Sequence, residues 1–274
     1  MREKPKISKV LLAMFASLVF VFLVAPIVII IPVSFGSSPY LEFPPKGFSI
    51  QWYQHYLSQP KWLTATSNSF GIALGATLLS VILGTMASFG ILRSKSKLGG
   101  VLYTFFITPM VVPSIILAIA FYFFFAKFHV IGSIWTMISA HTVLAVPFVI
   151  TNVLATLKGF DHNLELASMN LGANPLVTFL RVTLPCIRPG IISGSLFAFI
   201  TSFDEVVVAM FIGGTRLMTL PRLMFAGIRN EITPTIAAVS SMLIIISIGL
   251  LLTIQLLGNR RISGEAKKIG SKAT

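Results

Sequence analysis

Two adjacent acids, Asp204 and Glu205, stand within a long apolar stretch, and no other Asp or Glu in the sequence does so. Placed about 15 residues into a helix, they lie roughly 21 Å along its rise, past the midplane of a bilayer. A charge at that depth costs about 3 kcal/mol on insertion scales, so both carboxylates should face protein or a water-filled cavity. Acids in such positions mark pathways. Structural alternatives are an ion pair with Arg216, Arg222 or Arg229 of the following loop, or the cap of a broken helix. Phe199, Phe203 and Phe211 recur nearby at helical spacing and would form one aromatic face. Enzyme chemistry finds little to work with. His55, His129, His141 and His162 are scattered, with no pair at metal-ligand spacing, and no Gly-x-Ser-x-Gly occurs. Adjacent acids point about 100° apart on a helix, a poor start for a shared-proton dyad.

The elements that hold these residues follow from composition. Of 274 residues 55% are hydrophobic and 11% charged, and a mean hydropathy of +0.90 leaves too little polar surface for a soluble domain. A net charge of +13 therefore does not indicate a nucleic-acid-binding face. The single cysteine, Cys186, excludes a disulfide framework within the chain. Six apolar stretches reach the roughly 20 residues that a transmembrane helix needs. They are Val10–Phe35, Asn68–Leu92, Val101–Ala126, Gly132–Leu157, Gly190–Gly213 and Thr235–Leu257. None alternates as a barrel strand would, so the expected fold is an all-α membrane protein with six transmembrane helices. The first stretch reads as a retained helix, with a cleaved leader as the alternative, because it outruns a leader's apolar region and no small-x-small site closes it.

With six spans, 15 of the 21 Lys and Arg fall on the side of the two termini, and that side is expected to be cytoplasmic. They include Arg93, Lys158, Arg181, Arg188 and the run from Arg260 to Lys272. The organisation expected is a cytoplasmic tail (1–9), a first span (10–35), a periplasmic or interfacial segment rich in aromatics and proline (36–67), a core of five spans (68–257) and a basic cytoplasmic tail (258–274). Gly71-x-x-x-Gly75 and Gly190-x-x-x-Gly194 are expected to permit close helix packing, and Pro26, Pro109, Pro113 and Pro147 to bend or loosen their helices.

The inner loop 158–189 carries its own pattern. Asp161 or Asn163 can cap a short helix that Gly172 would end in a left-handed conformation, and a second helix would start near Pro175 and stop at Leu184-Pro185. Leu164, Ala167 and Leu171 give the first helix an apolar stripe, to be covered by a partner, by its own bundle or by the bilayer.

Gly172, nine residues, Val182, one residue and Leu184-Pro185 resemble the cytoplasmic signature of binding-protein-dependent ABC importer permeases: Glu-Ala-Ala, three residues, Gly, nine residues, Ile, one residue, Leu-Pro. The first triplet departs from it, since Leu166-Ala167-Ser168 stands in its place and Glu165 sits one residue early. The resemblance runs from about Trp52 to Leu257. Thr201–Val208, Thr219–Arg222 and Ile228–Thr235 are similar to the spermidine/putrescine branch.

This likeness implies a type I ABC importer permease bundle in a bacterial inner membrane. In it Glu165, Leu166, Ala167, Gly172, Leu184 and Pro185 would belong to a coupling loop docked on an ATPase. It implies as partners a second homologous permease subunit, two ATP-binding subunits, a periplasmic binding protein and membrane lipid, with no nucleic acid. The chain has no Walker motif, so ATP and Mg would sit on the partner ATPase and no cofactor on this chain. In that setting Asp204, Glu205 and Phe203 would line the path of an organic amine, by ion pairing and cation–π contact. Opines, 4-aminobutyrate and other small solutes are the alternative cargo; a secondary transporter or intramembrane enzyme is the alternative class.

Overall fold

The computed structural model describes residues 7–94, 97–230 and 233–249. The basic C-terminal tail and the end of the sixth expected span lie outside them. Regular structure among the described residues is helical, apart from one isolated antiparallel bridge between Gly36 and Phe48. In chain order the helices are α1 (Ile7–Ser34), α2 (Gln51–Ser58), α3 (Pro60–Arg93), α4 (Leu98–Val111), α5 (Ser114–Lys127) and α6 (Ile134–Lys158). They continue as α7 (Asn163–Asn170), α8 (Pro175–Thr178), a π-helical turn (Phe179–Thr183), α9 (Leu184–Phe203), α10 (Val207–Ile212), α11 (Leu220–Asn230) and α12 (Pro234–Gly249). Four helices among the described residues are long and apolar enough to span a membrane, and a fifth if α4 and α5 count as one bent span; α12 is apolar but shorter.

The chain forms two compact units, one from the described parts of Met1–Pro60 and Gly227–Thr274, the other from Lys61–Ala226. In the first, the large apolar side chains of α1 from Val10 to Leu23 are exposed, as a helix facing lipid requires. Its end is tied to α2: Trp52 Nε1 donates to the Gly36 carbonyl at 2.8 Å, and the Tyr53 hydroxyl lies 2.6 Å from Ser34 Oγ.

The second unit is built around α6. A helix that is apolar on every side belongs in an interior, and most of α6 is buried. Val149, Val153 and Leu157 pack on Ile187 and Ala198 of α9, while Val146, Ile150 and Leu154 meet Ala87 and Ile91 of α3 and Phe106 of α4. Met137, Ile138 and Leu144 join Ala118 of α5 and Val208, Ala209 and Ile212 of α10. The α6–α9 approach is close because Gly190 and Gly194 have no side chain. A Cβ at Gly190 would strike Thr156 Oγ1 and lie 2.7 Å from the Asn152 carbonyl, and one at Gly194 would lie 3.0 Å from the Val149 backbone. Of the other glycine pair, Gly75 faces Ile138 whereas Gly71 faces open space.

Three expected spans differ in the structure. The stretch Val101–Ala126 is not one helix: α4 and α5 meet at 102°, because Val112 and Pro113 are extended and a residue before proline disfavours the helical region. The second span is longer than Asn68–Leu92. At 34 residues α3 is about 50 Å long, well above the roughly 30 Å of a bilayer core. The fifth helix starts before Gly190 and stops before Gly213. The chain does not break at Leu184-Pro185, since the π turn widens the helix there and Leu184 N–H reaches back to Phe179 O. Such a turn accommodates a proline that would otherwise clash with the preceding turn.

Candidate functional site

The loop after α6 is shaped by its own short-range bonds. Asp161 Oδ1 accepts from Asn163 N–H at 2.9 Å, and α7 closes with two bonds, Ala173 N–H to Ser168 O and Gly172 N–H to Met169 O. That paired closure needs a left-handed residue, and Gly172 supplies it at φ +89°. Asn174 then caps α8, its Oδ1 accepting from Val177 N–H at 2.8 Å, with Pro175 in the first turn. A bond between the Ser168 and Thr178 hydroxyls, 3.1 Å long, ties α7 to α8.

Burial in this loop is inverted. The charged residue Glu165 is only 5% exposed, while Leu171 is 89% and Leu176 65% exposed, and Leu164, Leu166 and Ala167 are exposed as well. A buried carboxylate needs partners, and Glu165 has three. Arg93 Nη2, at the end of α3, lies 2.9 and 2.8 Å from its two oxygens. Thr183 Oγ1 donates to Oε1 at 2.6 Å, and His162 Nδ1 is 2.9 Å from Oε2. The Arg93 guanidinium also stands 5.1 Å from the Phe89 ring centre, and Phe89 meets Phe179 edge to face at 5.6 Å. Gly172 and Pro185 are exposed, and Leu184 is half-buried.

The acids at 204 and 205 occupy a break between helices. Asp204 closes α9, its N–H donating to Ile200 O at 3.0 Å, and its carboxylate is exposed with no hydrogen-bond or ion-pair partner among the described residues. Glu205 is half-buried and does different work. Its Oε1 accepts from Val208 N–H at 2.9 Å, which caps the first turn of α10. Phe203 stacks on Phe199 at 5.7 Å and meets Phe70 of α3 edge to face at 5.1 Å, so the aromatic group that includes Phe203, one residue before Asp204, is Phe70, Phe199 and Phe203. Phe211 belongs elsewhere, packed on the core beneath α10.

Contacts that the sequence did not reveal hold this break and the loop after α10. His141 of α6 is buried, and its Nδ1 lies 3.0 Å from Ser202 O and 2.9 Å from Ser202 Oγ, two residues before Asp204. From α3, Asn68 Nδ2 donates to Met218 O at 2.9 Å, and Ser69 Oγ accepts from Leu220 N–H at 2.8 Å. Arg222 donates to Leu217 O at 3.1 Å. Polar residues in otherwise apolar runs were the available signal, without any indication of which partners they take.

A helical bundle with several membrane-length helices and an interrupted span defines the chain as a multi-span membrane protein. Residues 76–262 match the family described as the binding-protein-dependent transport system inner membrane component, and the chain belongs to that family. It is 34% identical over 232 residues, 82% of each chain, to the putrescine transport system permease protein PotI of Escherichia coli K12. To the spermidine/putrescine transport system permease protein PotC of Haemophilus influenzae it is 29% identical, over 89% of this chain and 94% of that one. The crystal structure of a bacterial ABC transporter involved in the import of the acidic polysaccharide alginate shares the fold, with a TM-score of 0.70, 14% identity, and 93% of this chain and 99% of the other covered. The family resemblance and the all-α permease fold are thereby borne out, as is the assignment to a transport subunit, with four to five membrane-length helices among the described residues.

Proposed function

We propose that the chain imports polyamines or a related organic amine, as one of two permease subunits that work with two ATP-binding subunits and a periplasmic binding protein. The observation that carries the cargo class is the exposed Asp204 carboxylate, without an ion-pair partner among the described residues and directly after Phe203 of the aromatic group in the chain, in a protein whose relatives carry putrescine or spermidine in their names. A polyamine presents ammonium groups on apolar linkers, and a carboxylate beside aromatic faces complements both parts. Glu205 contributes by setting the start of α10. Six spans, with both termini and loop 158–189 in the cytoplasm, agree with the distribution of Lys and Arg. In this orientation the exposed leucines of α7 and α8 would form the face that an ATP-binding subunit covers.

The test is uptake of labelled putrescine and spermidine into proteoliposomes holding the assembled transporter and loaded with ATP. Asp204→Asn should lower uptake about tenfold, the scale of one lost charge-assisted contact, at unchanged insertion. Wild-type uptake by this variant would overturn the role of Asp204.

A further inference from the structure

The bonds that Arg93 and Thr183 make to Glu165 have a consequence beyond the placement of one buried charge. They join parts of the second unit that are far apart in sequence: the end of α3 through Arg93, the first turn of α7 through Glu165 itself, and the last residue of the π turn through Thr183. A second path runs from α3 through the stack of Arg93, Phe89 and Phe179, and Phe179 is the first residue of the same π turn. Both ends of the turn are therefore held from α3. Thr183 is wholly buried, so its hydroxyl must keep an acceptor, and Glu165 provides it. By contrast, the peptide between α7 and α8 is held by backbone closure and a cap within the loop itself.

We propose that Arg93, Glu165, Thr183, Phe89 and Phe179 form an intrachain clamp that makes loop 158–189 and the cytoplasmic end of α3 move as one body. It divides the loop between two faces. The leucines point outward, and the one carboxylate of α7 points inward. In an ATP-driven transporter, force received on the leucine face would pass to α9 along the chain and to α3 through the clamp. Without the clamp, the π turn, which has one residue more per hydrogen-bonded loop than an α-helix, would yield and absorb the displacement. Glu165 and Arg93 are positioning residues in this scheme; neither touches nucleotide or cargo. The proposal rests on the importer reading for its functional consequence, but the clamp itself is a property of this chain.

The test uses the assembled transporter in nanodiscs, with Arg93→Met, Glu165→Gln and the double variant. Gln keeps the size of the side chain and an acceptor for Thr183, so folding is not at stake in the same way as with a deletion. Arg93→Met should retain the ATP-binding subunits and their basal hydrolysis. Both single variants should lose about tenfold in the hydrolysis stimulated by loaded binding protein, with uptake falling in step. The double variant should be no worse than the weaker single one, since both remove the same contact. Multiplying effects, or wild-type stimulation in either single variant, would overturn the clamp. Hydrogen exchange on the purified chain alone gives a reading independent of any partner. Amides of Phe179–Thr183 should exchange severalfold faster in Glu165→Gln and in Thr183→Val, and unchanged exchange would also overturn the clamp. If exchange responds while the wild-type complex shows no stimulated hydrolysis, the clamp stands and the importer reading is what fails.

Discussion

Glu165 and Leu166 show how much one residue of register decides. On a helix the two side chains point about 100° apart, and here one is buried on Arg93 and Thr183 while the other is exposed. The one-place shift of the acid relative to the family triplet was legible in the sequence; that it turns the charge inward was not, because nothing local to the loop identifies Arg93, 72 residues earlier, as its partner. The adjacent acids at the break divide in the same way. Glu205 holds an α10 amide and Asp204 holds none, so their substitutions should separate by type of effect. Glu205→Ala removes a capping acceptor and should destabilise the chain by about 1 kcal/mol, seen as a lower midpoint of thermal unfolding in detergent. Glu205→Gln retains the acceptor and should unfold close to the wild type. Equal losses of stability in the two variants would show that the cap is not what Glu205 contributes.

At the level of elements, the pattern of apolar runs located helices well and their interruptions poorly. The stretches Val10–Phe35 and Gly132–Leu157 correspond to α1 and α6 within a few residues, since lipid or core demands apolar side chains all along them. Hydropathy cannot register the 102° turn between α4 and α5, because both sides of the break are equally apolar; Pro113 was the signal, read as a bend of unspecified size. Nor does it register the π turn, whose cause is a proline accommodated inside a continuing helix. Glycine spacing did carry information where two helices meet. Gly190 and Gly194 lie against the backbone of α6, so Gly190→Leu must separate α6 from α9 or force rotamers at Thr156. Overpacking of that kind costs about 1–3 kcal/mol. Gly71→Leu, facing open space, should leave the unfolding midpoint unchanged, and a comparable loss at both sites would mean that the α6–α9 contact is not the sensitive one.

For the molecule as a whole, the excess of 21 basic over 8 acidic residues bears on the threading proposed above. A bundle of apolar helices carries no information about which way it is threaded; that choice rests on the loops, where Lys and Arg resist translocation. In the proposed threading loop 158–189 lies on the basic side, and near its end stands the sole cysteine, Cys186, three residues beyond the Thr183 of the clamp. Its thiol is exposed in the fold, so it reports sidedness without any substitution. A membrane-impermeant maleimide should label Cys186 in inverted inner-membrane vesicles and leave it unlabelled in intact spheroplasts. Labelling in spheroplasts would place the loop outside, reverse the threading, and remove the leucine face of α7 and α8 from reach of any ATP-binding subunit. The labelling also depends on assembly. If an ATP-binding subunit covers the loop, adding it to the vesicles should slow modification of Cys186 severalfold, whereas an unchanged rate would mean that the covered face does not extend as far as the start of α9.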